Sequence, residues 1–379
     1  MYQHYRYASY LRKDRQMIDQ IGFIGFGLIG GSIAKSIKKY GLAKKMIAYD
    51  LHPEPLHQAI NDGVLDQIAT SLDDGFESCD LIFLCCPVKV NIEMFKKLVG
   101  IVHENCIVTD VGSTKCDIHD ALDGLGTKIK FVGGHPMTGS EKSGYEASSS
   151  QLFENIFYIL TPSKTSTLGD VEVLKNLVLS IDSIPLIMDA SVHDKTTASI
   201  SHVPHVLAAL IVNAVKHLDT EDGYMHTLAA GGFKDITRIA SASPVMWQQI
   251  CLSNKQPILD VLEHYKTMLT TVEDYIMKED AQHLYALFSE AQDYRNTFND
   301  TSSGIFPRQY SFSVDVEDEP GIIAKIATLL SDAKINIKNI GIINNREIDN
   351  GVLNILFEDQ SHMDLSITLL RNLGYTIYT

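Results

Sequence analysis

The sequence predicts a doubly wound parallel α/β sheet, then an all-helical region, then a small ferredoxin-like βαββαβ module. Three observations carry that prediction. From Ile21 to Asp189, short apolar runs alternate with amphipathic stretches, the pattern of strands joined by crossover helices. Between Ala190 and Thr297 the strand signal stops and apolar residues recur at helical spacing. After the polar, Gly- and Pro-containing run NDTSSGIFPRQ the order becomes strand, helix, strand, strand, helix, strand. The expected divisions are an N-terminal extension at 1–20, a dinucleotide-type domain at 21–189, a helical domain at 190–300 and the C-terminal module at 309–379.

The first twenty residues lack the apolar core of a signal peptide. The strands of the first domain are IGFIGFG, KMIAYD, CDLIFLCCPV, CIVTDVGS, KFVGG, FYILTP and IPLIMD. They are almost continuously apolar, as strands covered on both faces must be. LIGGSIAKSIKKY reads as the first helix, with Gly41 as its stop. The long helices that follow bury their apolar faces either within one chain or against a second copy, and spacing alone leaves both open; the expectation is a homodimer. In the last module Tyr310, Phe312, Val314 and Val316 alternate on one face. INIKNIGII and GVLNILFE pair through the turn-forming NNREIDN, and Gly374 stops the last helix.

Composition excludes several classes. The 379-residue chain carries a formal net charge of −15, which opposes nucleic-acid binding. An anionic substrate would need specific local cations to hold it. No run of eighteen apolar residues occurs, so no membrane span is expected. None of the six cysteines forms a Cys-x-x-Cys pair, which points to reduced thiols in a cytoplasmic protein.

The first strand runs into GFGLIGGS, where Gly25, Gly27 and Gly30 form G-x-G-x-x-G, with Leu28 and Ile29 between them. After a strand and at the start of a helix this is the Rossmann-type fingerprint for a dinucleotide pyrophosphate. The second strand ends in Asp50, twenty residues past Gly30. A carboxylate there accepts from ribose hydroxyls and repels an extra phosphate, so NAD is the expected cofactor.

Four clusters carry the candidate chemistry. TDVGSTK places Ser113 and Thr114 at a strand's carboxyl end, where open α/β sheets bind ligands; Ser113 also suits a helix cap. GGHPMTGSEKSG sets His135 after two glycines that would let backbone approach a ligand. Its imidazole can take a proton near neutral pH. SISHVPHV carries Ser201, His202 and His205. The histidines share a helical face, as a structural pair or as part of a site, and no third ligand makes them a metal centre. GGFKDITRIASASPVMW places Lys234 and Arg238 one turn apart. Arg238 can fork a carboxylate or pair with Asp235. Ser243–Pro244 reads as a helix start, with Trp247, the sole tryptophan, just inside it.

In this order, GFGLIGGS, TDVGSTK, GGHPMTGSEKSG, SHVPH and GGFKDITRIASASPVMW resemble the prephenate dehydrogenases over residues 20–300. VEDEPGIIAKIATLLSDAKINIKNI resembles an ACT domain, a regulatory module that often binds amino acids. The resemblance implies NAD-dependent oxidative decarboxylation of prephenate to 4-hydroxyphenylpyruvate, with feedback inhibition by tyrosine. It implies that His135 accepts the ring-hydroxyl proton and Ser113 hydrogen-bonds near the hydroxyl. It implies further that Arg238 grips a substrate carboxylate, Ser201 and His205 contact the far end, and Ser140 and Glu141 stand at the rim. Ser140 replaces the threonine of some relatives and keeps the hydroxyl. Two alternatives stay open: an arogenate dehydrogenase, and an NAD- and amino-acid-sensing protein without turnover. The intact set of His135, Ser113 and Arg238 speaks against the second.

Overall fold

The computed structural model describes residues 17–139, 142–298, 310–316, 319–343, 351–357 and 359–378. Ser140, Glu141, most of the N-terminal extension, the 299–309 linker and the 344–350 turn lie outside the described residues. The chain divides into two compact units, one reaching Leu284 and one spanning Tyr285–Thr379.

The first unit opens with β1 (Ile18–Ile24), α1 (Leu28–Tyr40), β2 (Ala43–Tyr49), α2 (Glu54–Asn61) and β3 (Gln67–Ile68). Next come β4 (Leu81–Leu84), α3 (Val88–Leu98), β5 (Ile107–Asp110), α4 (Cys116–Asp123) and β6 (Lys130–Pro136). The sheet closes with β7 (Phe157–Pro162), α5 (Leu168–Ser180) and β8 (Ile184–Ile187). Its strand order is β3-β2-β1-β4-β5-β6-β7-β8. The first six strands are the parallel, doubly wound arrangement expected. The two-residue β3 was not foreseen, being too short to show a pattern.

One pairing departs from the expected all-parallel sheet: β6 and β7 run antiparallel. Among the described residues their connection holds only a 3₁₀ turn, Tyr145–Ala147, rather than a crossover α-helix. A parallel partner would need such a crossover. β8 then pairs parallel to β7.

Both faces of the sheet are covered. Ile21, Phe23, Ile33, Ile37, Leu174 and Val178 are buried on one side, and Ile82, Leu84, Phe95, Val108 and Ile118 on the other. Gly41 ends α1 in the left-handed conformation at φ 62°, where it costs no Cβ clash.

The helical part follows as α6 (Ala190–Thr197), a π-helical turn (Ala198–His202), α7 (Val203–Leu218), α8 (Tyr224–Leu228), α9 (Gly231–Thr237), a 3₁₀ turn (Arg238–Ser241), α10 (Pro244–Ser253), α11 (Lys255–Met277) and α12 (Ala281–Thr297). Its own core is small, with Ala198, Val203 and Ile258 at the centre. Leu210, Leu218, Leu228, Leu252, Leu269 and Ile276 are exposed in the single chain, so a closed bundle does not form. Ala190–Leu218 is one 29-residue helical run, long and apolar enough to cross a membrane by length and composition only. The helical spacing of residues 193–218 anticipates this helix. It shows no unbroken apolar run because His193, Asp194, Lys195, His202 and His205 interrupt it.

The second unit contains β9 (Tyr310–Val316), α13 (Ile322–Asp332), β10 (Ile337–Ile343), β11 (Gly351–Phe357), α14 (Gln360–Asn372) and β12 (Ile377–Tyr378). The order β10-β11-β9-β12 is the ferredoxin-like arrangement, with all described pairings antiparallel. Phe312, Val314 and Val316 face its core, as the alternation requires.

Candidate active site

The carboxyl ends of β1, β4, β5 and β6 lie along one edge of the parallel sheet, where a doubly wound fold presents its ligand crevice. β1 delivers the glycine fingerprint there. Gly25 sits at φ +88°, and a Cβ on it would stand 2.7 Å from Cys86 Sγ. A Cβ on Gly30 would stand 2.7 Å from the Gly25 carbonyl oxygen. A Cβ on Gly27 would meet nothing within 4 Å. Two of the glycines are therefore demanded by the chain itself, and the third keeps open a cradle that a methyl would fill. Gly27 is also the N-cap of α1, and no side chain caps that terminus. Open backbone at a helix start suits a pyrophosphate. Asp50, just past β2, accepts from the Phe26 amide at 2.7 Å and from the His52 amide at 2.9 Å. Its carboxylate is thereby fixed across from the fingerprint, where a ribose would lie. These residues fit NAD.

β5 and β6 deliver the next layer. Lys115 is fully buried, and its ammonium donates to both Asp110 carboxylate oxygens at 2.5 Å and to the Gly134 carbonyl at 2.6 Å. All three ammonium protons are used. Asp110 also accepts from the amides of Gly112 and Gly134 at 2.9 and 3.1 Å. Burial pulls the Lys115 amine below its ordinary range, against the attraction of Asp110. This strut pins the backbone one residue before His135.

The two glycines before His135 serve packing rather than ligand approach, which corrects the expectation. A Cβ at Gly133 would lie 2.3 Å from Thr161 Oγ1, and one at Gly134 would lie 2.4 Å from the Asp110 carbonyl. The strand is squeezed between β5 and β7, so only glycine fits. Ser113 is half-buried in the loop after β5 but does not cap α4. The helix starts after Lys115, and Asp194 from α6 caps it from outside. Asp194 Oδ1 accepts from the Lys115 amide and Oδ2 from the Cys116 amide, both at 2.8 Å.

Asp194 leads directly to His135. His193 Nδ1 lies 2.7 Å from Asp194 Oδ1, and His193 Nε2 lies 2.8 Å from His135 Nδ1. Burial, with His193, Lys115 and His202 nearby, pushes the His135 imidazole well below its ordinary pKa. It is neutral at physiological pH, with its lone pair unprotonated, although burial disfavours the charged form. Burial alone would raise the Asp194 carboxyl, but hydrogen bonds from His193, Cys116 and Lys115 outweigh it and hold it below the usual carboxylate range.

The π-helical turn brings in the rest. Such turns re-aim side chains and often occur at functional sites. His202 is buried, with Asn254 Nδ2 at 2.9 Å from its Nδ1, and burial lowers its pKa to about 4. The same Asn254 amide donates to the Asp194 carbonyl at 2.8 Å. His205 stacks on Trp247 with ring centroids 3.7 Å apart. Burial lowers its pKa, as does the charge of Arg238, while a hydrogen bond to the Ile239 backbone opposes the shift. Ser243 does start α10, its hydroxyl accepting from the Met246 amide at 3.5 Å. Trp247 Nε1 is buried without a hydrogen-bond partner among the described residues.

The structure therefore gathers His135, His202, His205, Trp247 and the charge of Arg238 around one region. Arg238 is exposed, and Ser201 is half-buried in the π turn. The sequence reading missed His193, Asp194, Lys115, Asp110 and Asn254. His193–Asp194 lay inside a helical pattern, and adjacency along a helix gives no hint that both turn toward another strand. TDVGSTK held Asp110 and Lys115 in view, but not their pairing. Among the described residues, no group of three or more His, Cys, Asp or Glu side chains could hold a metal ion.

Known proteins resemble this chain along most of its length. The family model described as prephenate dehydrogenase, nucleotide-binding domain, matches residues 33–184, and that described as prephenate dehydrogenase, dimerization domain, matches 189–290. An ACT domain model matches 310–371. The prephenate dehydrogenase of Bacillus subtilis is 42% identical over 346 residues, covering 90% of this chain and 93% of that protein. The crystal structure of prephenate dehydrogenase from Aquifex aeolicus, in complex with hydroxyphenyl propionate and NAD+, aligns with a TM-score of 0.70 at 33% identity, covering 75% of this chain and all of that one. A Synechocystis arogenate dehydrogenase structure aligns with a TM-score of 0.68 at 25% identity, covering 74% of this chain and 99% of that one.

Proposed function

The chain belongs to the prephenate dehydrogenase family, and on that premise we propose that it converts prephenate to 4-hydroxyphenylpyruvate under feedback control by tyrosine. It is an NAD-binding enzyme with a C-terminal ACT domain. The observation that carries the reading is His135: a neutral imidazole at the carboxyl end of β6, hydrogen-bonded behind its Nδ1 and set at the crevice edge of the dinucleotide sheet.

NAD, when bound, supplies the acceptor for the electron pair and hydrogen leaving the ring carbon. His135 Nε2 takes the proton of the ring hydroxyl as that carbon is oxidised. The ring carboxylate then departs as carbon dioxide, and its bonding electrons complete the aromatic ring. The resulting phenolate recovers the proton from His135, so the imidazole ends neutral. A positioned base of this kind contributes about 10²–10⁴-fold. Ser113 orients the hydroxyl. Arg238 grips a carboxylate of the dianionic substrate, offsetting the long-range repulsion of a chain with net charge −15. Ser201 and His205 contact the substrate's far end, and Ser140 and Glu141 border the pocket. The exposed apolar helices are covered by a second copy of the chain, a role supported by the dimerization-domain match. The six unpaired thiols support a cytoplasmic location.

The test is NADH formation from protein, NAD and either prephenate or arogenate, with and without tyrosine. The expected result is rapid turnover of prephenate that tyrosine suppresses. Turnover of arogenate alone would replace the substrate, and no turnover of either would refute the enzyme. Unchanged kinetics with tyrosine would remove it as the effector.

A further inference from the structure

We propose that His193 and Asp194 are positioning residues that fix the proton-accepting face of His135 and draw the accepted charge away from the substrate. The proposal rests on His135 acting as the base, and extends that reading to two residues that do not touch the substrate.

The argument is one of hydrogen counting. Asp194 Oδ1 accepts from the Lys115 amide and Oδ2 from the Cys116 amide, each at 2.8 Å. Backbone amides are donors only, so this carboxylate is held as an acceptor on both oxygens. His193 Nδ1, 2.7 Å from Oδ1, must carry hydrogen. A neutral His193 then has a lone pair on Nε2, and His135 Nδ1, 2.8 Å away, must donate to it. One tautomer of His135 remains, with Nδ1 protonated and Nε2 bare. The chain of contacts thus leaves a single nitrogen free to take a proton.

The same chain can carry charge. When Nε2 of His135 gains a proton, its Nδ1–H bond can break as a new N–H bond forms at His193 Nε2. His135 is then neutral again, and the positive charge rests on His193 against the Asp194 carboxylate. No electrons change hands and no other reagent is needed. The charged and titratable groups facing this line are Lys115 just before α4, Cys116, Asp117 and His119 from α4, Asp110 from β5 and His202 from the π turn. Lys115 is neutralised by Asp110 at 2.5 Å, and of the remaining carboxylates Asp194 is the one hydrogen-bonded to His193. His193 is wholly buried and Asp194 1% exposed, so water does not dilute the effect. A helix cap alone would need Asp194 but would not need a histidine between it and His135.

The experiment has two arms. In the first, ¹⁵N NMR of the apo protein reads the His135 ring directly. The expected spectrum shows hydrogen on Nδ1 and none on Nε2. Hydrogen on Nε2 overturns the proposal and the choice of Nε2 as acceptor, whereas NADH formation is read separately by the turnover assay. In the second arm, His193→Gln and His193→Phe are assayed for kcat over pH, with the NAD Kd and Tm alongside. A glutamine amide can accept from His135 and donate to Asp194, so it keeps the tautomer but cannot pass a proton. The expected result is unchanged NAD affinity, a kcat fall of roughly ten-fold for His193→Gln with its acid limb displaced, and a fall of ~10²-fold or more for His193→Phe. Wild-type kcat and pH profile in His193→Gln overturn the charge-relay half. Equal, pH-independent losses in both variants mark a merely structural role and overturn the proposal. Should wild-type protein make no NADH, the activity reading fails, and the NMR arm still decides the tautomer.

Discussion

Substituting alanine at Gly27 should separate cofactor binding from folding within one short motif. At Gly27, φ is −88°, which other residues adopt, and an added Cβ meets nothing within 4 Å. The folded chain should therefore accept the methyl without a clash, at a helix-cap cost of about 0.5–1 kcal/mol. The bound pyrophosphate should not, because its oxygens must reach hydrogen-bond distance of the α1 backbone, and the methyl occupies that approach. Losing one charge-assisted hydrogen bond costs about 1.5–3 kcal/mol, a rise in the NAD Kd of roughly ten- to 150-fold. Gly30→Ala is the control. Its Cβ would sit 2.7 Å from the Gly25 carbonyl and 3.2 Å from Cys85 Cβ, an overpacking of about 1–3 kcal/mol. Calorimetric titration with NAD, and denaturant unfolding without it, read the two effects. Gly27→Ala should move the first strongly and the second by no more than the lost cap, and Gly30→Ala should move both. Wild-type NAD affinity in Gly27→Ala would refute the assigned cradle.

Two further outcomes follow from the buried groups behind the crevice. His202 is 2% exposed, with its pKa lowered from 6.5 to about 4, so the unfolded chain binds a proton that the native chain refuses. Stability should be full above pH 6.5 and fall as pH drops toward 4, by about 3 kcal/mol at 1.36 kcal/mol per pH unit; urea unfolding of wild type and His202→Gln across that range checks it, and an equal acid loss in both would contradict it. Lys115→Met leaves Asp110 buried without its cation and should cost about 3–5 kcal/mol, measured as a lowered urea midpoint; an unchanged midpoint would show that the Gly112 and Gly134 amides suffice.

The parts of the fold that were legible in the sequence are those whose physics is local. Strands buried on both faces show as apolar runs, and Phe312, Val314 and Val316 show as an alternation because one side faces a core. The antiparallel turn at β7 was not legible, because FYILTP is equally apolar in either direction. At the site, His135 stood out because a glycine pair preceded it, yet the reason given for those glycines was wrong. They admit Thr161 and the Asp110 carbonyl, contacts from strands distant in sequence. The same distance hid His193 and Asp194, which reach His135 only because α6 docks across the starts of α4 and the loops beside β6. Asn254, tying His202 to the Asp194 carbonyl from sixty residues away, gave no pattern at all. Ser113 was well suited to cap a helix by type, but Asp194 already occupies the α4 terminus.

The most direct measurement is single-turnover NADH formation from prephenate by His135→Asn, run beside an NAD titration of the same protein. With the imidazole gone, NAD should bind as in wild type while the chemical step slows by about 10²–10⁴-fold. NADH appearing at the wild-type rate would show that another group takes the proton, and the assignment built on His135 would fall.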